Sequence, residues 1–198
     1  MIINSKRANP IPECGNLAKA KGKYSFSFGY NALANGRSSF CFGSNSKAKD
    51  YYNIAIGSRV ETDGLGAIAI GMFSKSNGKN AISIGDNNES NHENASTFGG
   101  YSNEANGQSS VIVGGRFSEA NGLNSSILGG ENNEAQGDYS SAFGQDTKAL
   151  KNHSTTFGYG TEATRDGAFI VGTHNVSDTN ILFGIGSGTS SFNKQNAM

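Results

Sequence analysis

Three histidines, His92, His153 and His174, are the first side chains to weigh for chemistry, together with scattered carboxylates and two cysteines. A transition-metal site needs ligands at close, fixed spacing. The three histidines fall at different positions of a short repeat, so they share no ligand spacing. Serine is abundant, but no Ser-His-Asp set stands apart from that abundance. The Gly-Gly pairs lack the strand-turn-helix context of a dinucleotide fingerprint, and they do not match the glycine-aspartate nonapeptide that holds calcium. The sequence therefore points to no catalytic residue, no cofactor and no dedicated metal site.

Two constellations remain. Glu89, Glu104, Glu119 and Glu134 recur at the same repeat position, where like charges in neighbouring strands repel. They form either a solvated ladder screened by salt or a patch for a divalent cation or a basic receptor. The second constellation is a row of large side chains at one turn: Tyr30, Met72-Phe73, Tyr101, Arg116-Phe117 and Tyr159. Exposed aromatics stack on sugar faces and anchor protein interfaces. Tyr101, Arg116 and Phe117, with Glu104, Glu119 and Glu134, are the candidate ligand-binding residues. Alternatively, such aromatics cover the edge of their own fold or a neighbouring chain.

The elements that position these residues follow from a repeat. In GGYSNEANGQSSVIVGGRFSEANGLNSSILGG, a large apolar residue, a glycine and an alanine return every fifteen residues. A repeat this short is one coil of a solenoid. From Asn16 the pattern runs almost to the end, with closing glycines at Gly29, Gly43, Gly57, Gly71, Gly85, Gly99, Gly114, Gly129, Gly144, Gly158, Gly172 and Gly184. Their spacing is fourteen, except for fifteen in three coils and a shortened last step. The extra residue is expected just after the closing glycine, in a turn.

Within a coil the period is two, the signature of a strand with two faces. Triplets such as Phe26-Ser27-Phe28 and Ile54-Ala55-Ile56 precede the glycine; a second strand such as Ser46-Lys47-Ala48 follows it. The charged middle residue of the second strand must face water. The expected fold is all-β, a two-sheet parallel β-solenoid of about twelve coils of 14–15 residues. The large row (Phe28, Phe42, Ile56) is expected inside, against Ala34, Ala48 and Thr62. That leaves the uncharged middle row outside, where it would need a partner. Cys41, Ala55, Ala69, Ile112, Ile127, Ala142, Ile170 and Leu182 are accordingly the candidate interface between copies, and cyclic symmetry would close the assembly.

Composition sets the outer limits. Leu, Ile, Val and Phe number 38, about a fifth of the 198 residues. That is sparse for a globular core. Basic and acidic residues balance at 16 each, which argues against nucleic acid as a partner. No run of eighteen apolar residues offers a membrane span. The opening MIINSKRANPIPECGN has no apolar core of a signal peptide; the expectation is a chain never exported by a signal peptide, or a fragment of something longer. Cys14 and Cys41 are too few for a disulfide framework. Residues 1–15 read as an irregular lead-in marked by Pro10 and Pro12, 16–184 as the solenoid and 185–198 as a C-terminal linker.

The strings NALANGRSSFCFG (Asn31–Gly43), RVETDGLGAIAIG (Arg59–Gly71) and FSKSNGKNAISIG (Phe73–Gly85) resemble the head repeats of YadA-type trimeric autotransporter adhesins. The resemblance implies a left-handed parallel β-roll, a homotrimer and an adhesive role toward a surface protein or glycan of a host or prey cell. The expected departures from that family are the absence of a signal peptide, a heptad stalk and a membrane-anchor segment, together with three coils a residue longer than the fourteen-residue norm. The tail IGSGTSSFNKQNAM (Ile185–Met198) resembles the linker before intramolecular-chaperone domains of phage tail spikes and related fibres. The expected function is a non-enzymatic, receptor-binding segment of an extracellular or virion fibre; the alternative is a structural spacer with no binding site of its own.

Overall fold

A computed structural model of the protein describes residues 13–197. The proposed lead-in through Pro12, and the Cys14 thiol, lie outside the described residues and side chains. The chain divides at Gly99/Gly100 into two compact units. Both are built from one device, and no helix occurs among the described residues. The fold is a parallel β-solenoid of about twelve turns.

In the first unit, five-residue strands at Phe26–Tyr30, Phe40–Ser44, Ile54–Ser58, Ile68–Met72 and Ile82–Asp86 stack in parallel. Two-residue strands at Lys19–Ala20, Leu33–Ala34, Lys47–Ala48, Glu61–Thr62, Lys75–Ser76 and Glu89–Ser90 form a second parallel stack. Register is strict: Phe28 lies beside Phe42, Phe42 beside Ile56, Lys19 beside Leu33. The second unit repeats this with long strands at Val111–Ile112, Ser126–Glu131, Ser141–Gln145, Thr155–Tyr159, Phe169–Thr173 and Phe183–Ser187.

Backbone groups are paired between coils. Most strand amides donate to the following coil, as Phe40 N–H does to Asn53 C=O at 2.8 Å. At the corner after the long strand, one residue per coil takes a positive φ, for instance Asn45 at 55°. The flipped amide then donates backward, to Tyr30 C=O at 2.8 Å. Asparagine tolerates this conformation, which explains its recurrence there. Gly43 has no alternative: its φ is 137°, and a Cβ would collide with the Gly57 carbonyl.

The structure inverts the expected inside and outside of the long strand. The middle row is the core: Ser27, Cys41, Ala55, Ala69, Ser83, Ile112, Ile127 and Ala142 are all at 0% exposure, and Ile170 at 2%. The large row faces out, with Phe28 at 37%, Phe42 at 44% and Leu128 at 63% exposed. The reason is the thinness of a fourteen-residue coil. Ser27 Oγ reaches the Ala32 carbonyl opposite at 2.9 Å, Ser83 Oγ reaches Asn88 C=O at 2.8 Å, and Cys41 Sγ reaches Ser46 C=O at 3.2 Å. A hydroxyl one bond beyond Cβ already spans the interior, so a phenyl ring does not fit. Cys41, Ala55, Ala69, Ile112, Ile127, Ala142 and Ile170 therefore cannot meet another chain. Leu182 is 53% exposed but is off this row, because Ile170 is in register with Gly184.

Two further corrections concern the coils of fifteen. The register glycines are the second members of the doublets, Gly115 and Gly130, since a Cβ on either would strike the glycine of the next coil. Gly129 has open space around its Cα instead. The extra residue thus lies within the long strand, as a register shift between Ile127 and Gly130, and not in the turn after it. Ile112 and Ile127 occupy these widened coils, while the third isoleucine of the row, Ile170, lies next to the last coil. The final step is also a full fourteen residues, because Gly172 is in register with Gly186. Ile185–Ser187 accordingly belong to a strand, Phe183–Ser187, and not to a linker.

Candidate functional site

Tyr101, Arg116 and Phe117 come together in the second unit through the coil repeat. Tyr101 and Arg116 form a parallel bridge, and Arg116 forms another with Glu131. Phe117 has a φ of 54°, at the corner where other coils place asparagine. Its N–H donates to the Tyr101 carbonyl at 3.1 Å. The two rings meet edge to face, centroids 5.4 Å apart at 89°, a favoured aromatic geometry. Tyr101 is 46% and Phe117 49% exposed.

Beside them runs a shallow groove of about 500 Å³. Its floor is the glycine row Gly100, Gly115, Gly130 and Gly144; its wall is Tyr101, Arg116, Glu131 and Gln145. This glycine row leaves bare backbone along the floor of the groove. Arg116 Nη2 contacts Glu131 Oε2 at 2.9 Å. Both side chains are largely solvated, so this pair contributes at most about 1 kcal/mol. It does hold the guanidinium over the groove.

Glu104, Glu119 and Glu134 stand in register on the neighbouring short strands. Each carboxylate accepts from an amide two residues on: Asn106 at 3.4 Å, Asn121 at 3.3 Å, and Gln136. Lys148 Nζ ends the row at 3.3 Å from Glu134. Among the described residues no group of three or more His, Cys, Asp and Glu side chains is placed to hold a metal ion. A cleft of about 120 Å³ between Phe117, Glu119, Glu134 and Lys148 links this row to the aromatic pair. Glu131, Gln145 and Lys148 are the lining residues that residue type alone did not single out. Aligning Glu131 with Arg116, one fifteen-residue coil earlier, was the available signal.

The histidines take separate structural places. His153 stacks on Tyr139 at 5.0 Å, and His174 packs edge-on to Tyr159 at 4.6 Å. Glu162 sits near the C-terminal strand. Burial opposes its charge, but hydrogen bonds from Ser177 and Lys194, with the nearby Lys148 charge, hold its carboxyl below the usual carboxylate range. Lys194 Nζ lies 3.2 Å from Glu162 and Ser177 Oγ 2.6 Å.

Such an arrangement, two parallel sheets wound from coils of fourteen to fifteen residues around a core of small side chains, defines a parallel β-solenoid. Four stretches, residues 15–32, 20–46, 63–88 and 135–161, match the model of the YadA head domain repeat. These matches fall in both units, over somewhat under half of the chain, and the similarity points to an adhesin-like role. No curated protein matches the chain. No helix among the described residues is long and apolar enough to cross a membrane.

Proposed function

We propose that the protein is a non-enzymatic, homotrimeric head segment that attaches a surface-exposed or virion-borne fibre to a protein or glycan on another cell. The observation behind this reading is the outward row of the long strands. Phe28 and Phe42 stack at 4.9 Å on a face open to solvent, with Phe26 and Phe40 stacked at 5.0 Å on the same face. In the second unit Leu128, Phe157 and Ile185 are 63%, 55% and 45% exposed on the row of Phe28 and Phe42, and Phe183, on the row of Phe26 and Phe40, is 65% exposed. Apolar rows this regular are interface surface, and a cyclic assembly covers them without open growth. Three copies is the number that the head repeats imply.

On this reading Tyr101, Arg116 and Phe117 receive the ligand, with Glu104, Glu119 and Glu134 as an acidic flank toward basic groups of a receptor. The test is twofold. Light scattering should return three times the 20.6 kDa chain mass, and the purified segment should bind cells. A mass of one chain removes the trimer. A trimer that binds neither cells nor a glycan array is a structural spacer.

A further inference from the structure

The balanced total charge hides a basic, tyrosine-rich strip at the start of the first unit. Between Asn16 and Val60 the chain has seven Lys and Arg residues and a single acid, Asp50. Lys19 and Lys47 lie on the outer row of the short strands with Leu33 between them in register. Lys23 and Arg37 occupy the next corner, ordered by Ser38 N–H to Lys23 C=O at 2.8 Å and Tyr52 N–H to Arg37 C=O at 2.9 Å. Lys47 and Lys49 are neutralised by Glu61 and Asp63, which close the strip at the following coil. Among the described residues no carboxylate pairs with Lys19, Lys23 or Arg37.

Those cations frame an aromatic surface. Lys23 Nζ lies 4.9 Å and Arg37 Cζ 5.8 Å from the Tyr24 ring centroid. Tyr24, Tyr51 and Tyr52 are 49%, 53% and 58% exposed. A tyrosine offers its face to the C–H side of a sugar ring and its hydroxyl to a polar substituent. Cations beside it offer donors to sulfate or carboxylate oxygens. Lys23 and Arg37 stand at the same corner of successive coils, roughly 4.8 Å apart at the ordinary strand spacing.

We infer that the Lys19–Lys23–Arg37 strip with Tyr24, Tyr51 and Tyr52 binds an anionic polysaccharide, one carrying sulfate or uronate groups. This rests on the adhesive reading only for its extracellular setting. The surface is separate from the Tyr101–Phe117 corner and lies in the other unit. Cations grouped beside tyrosine faces suit an extended sugar chain; the strip spans about three coils, a small footprint for duplex DNA.

The probe is heparin, titrated against the full chain at physiological ionic strength, with its desulfated form and single-stranded DNA of matched charge as comparators. Wild type should bind heparin with an affinity that falls as salt rises and should bind the DNA markedly less; the desulfated form, which keeps its uronates, tells recognition of sulfate from recognition of uronate. The combined Lys19→Gln, Lys23→Gln and Arg37→Gln variant should bind heparin about tenfold or more weakly. Lys151→Gln with Arg165→Gln, exposed cations of the second unit, should leave it unchanged. Absent heparin binding, retention in the triple variant, or equal binding to the DNA overturns the inference. A wild-type chain that binds cells but not heparin sinks this inference alone and leaves the adhesive reading standing.

Discussion

Phe117 donates its backbone N–H to Tyr101 C=O at 3.1 Å while its ring stands edge-on to the Tyr101 ring at 89°. One coil thus presents the aromatic of the preceding coil, and does so at a residue in the left-handed region. Holding a phenylalanine there costs about 1–2 kcal/mol, and the ring pair returns about 0.5–1.5 kcal/mol. Phe117→Asn exchanges one effect for the other, since asparagine accepts that conformation. Stability by denaturant titration should stay within about 1 kcal/mol of wild type, while binding to cells drops. A loss beyond about 2 kcal/mol would show the pair to be part of the packing and not a presented surface.

Cys41 tests the inverted strand directly. Burial raises its thiol pKa, despite backbone hydrogen bonds that work the other way, and its Sγ donates to Ser46 C=O at 3.2 Å. In a Cys14→Ser background, Cys41 should resist a thiol reagent in the native protein and react fully in denaturant. It should form no cross-link between chains on oxidation. Fast native labelling would return it to an outer face.

Much of the fold was legible in the sequence because glycine and small residues recur with so little variation. Period two gave each strand two faces, but alternation does not say which is inside. Large apolar side chains conventionally point inward; here the cavity between the sheets is set by coil length, and Ser27 already spans it through its hydroxyl. The doublet Gly129-Gly130 was ambiguous by one residue for a similar reason. Both are glycine, and only the contact with Gly144 tells them apart. Tyr101, Arg116 and Phe117 could be grouped from the repeat, whereas the glycine-floored groove beside them depends on where the bulge falls.

That cavity gives a packing prediction. Ala69 is at 0% exposure between Ala55 and Ser83 in its row. Ala69→Leu should lower stability by about 1–3 kcal/mol through overpacking. Ile70→Leu, one residue on and facing out, should change it by well under that. Thermal or denaturant unfolding of the two variants separates the alternatives; equal tolerance at both positions would contradict the small-residue core.

The outward row makes the opposite demand. Phe42 is 44% exposed in the single chain and stacks on Phe28. Phe42→Glu removes little from the roll itself, so far-ultraviolet circular dichroism should be unchanged. In a trimer that covers this row, the same change buries three unpaired carboxylates, and light scattering should show a single chain. A trimer that survives Phe42→Glu would place the contact elsewhere.

Acid should loosen the last coils before the rest. The Glu162 carboxyl is held below the usual range, with desolvation outweighed by Ser177, Lys194 and Lys148. A carboxyl with a depressed folded pKa adds stability that is fully present above its unfolded value, and that is lost as pH falls through the folded one. The contribution should therefore be intact at neutral pH and fade below the ordinary glutamate range. Lys194 and Gln195 belong to the segment that this lock fastens, Gln195 N–H donating to His174 C=O at 3.0 Å. Hydrogen exchange at neutral pH should show Gly188 and Gln195 amides protected in wild type and less protected in Glu162→Gln. On acidification the wild-type amides should approach the variant, after allowing for the intrinsic pH dependence of exchange. If the variant and wild type show the same protection at neutral pH, Glu162 does not hold this segment.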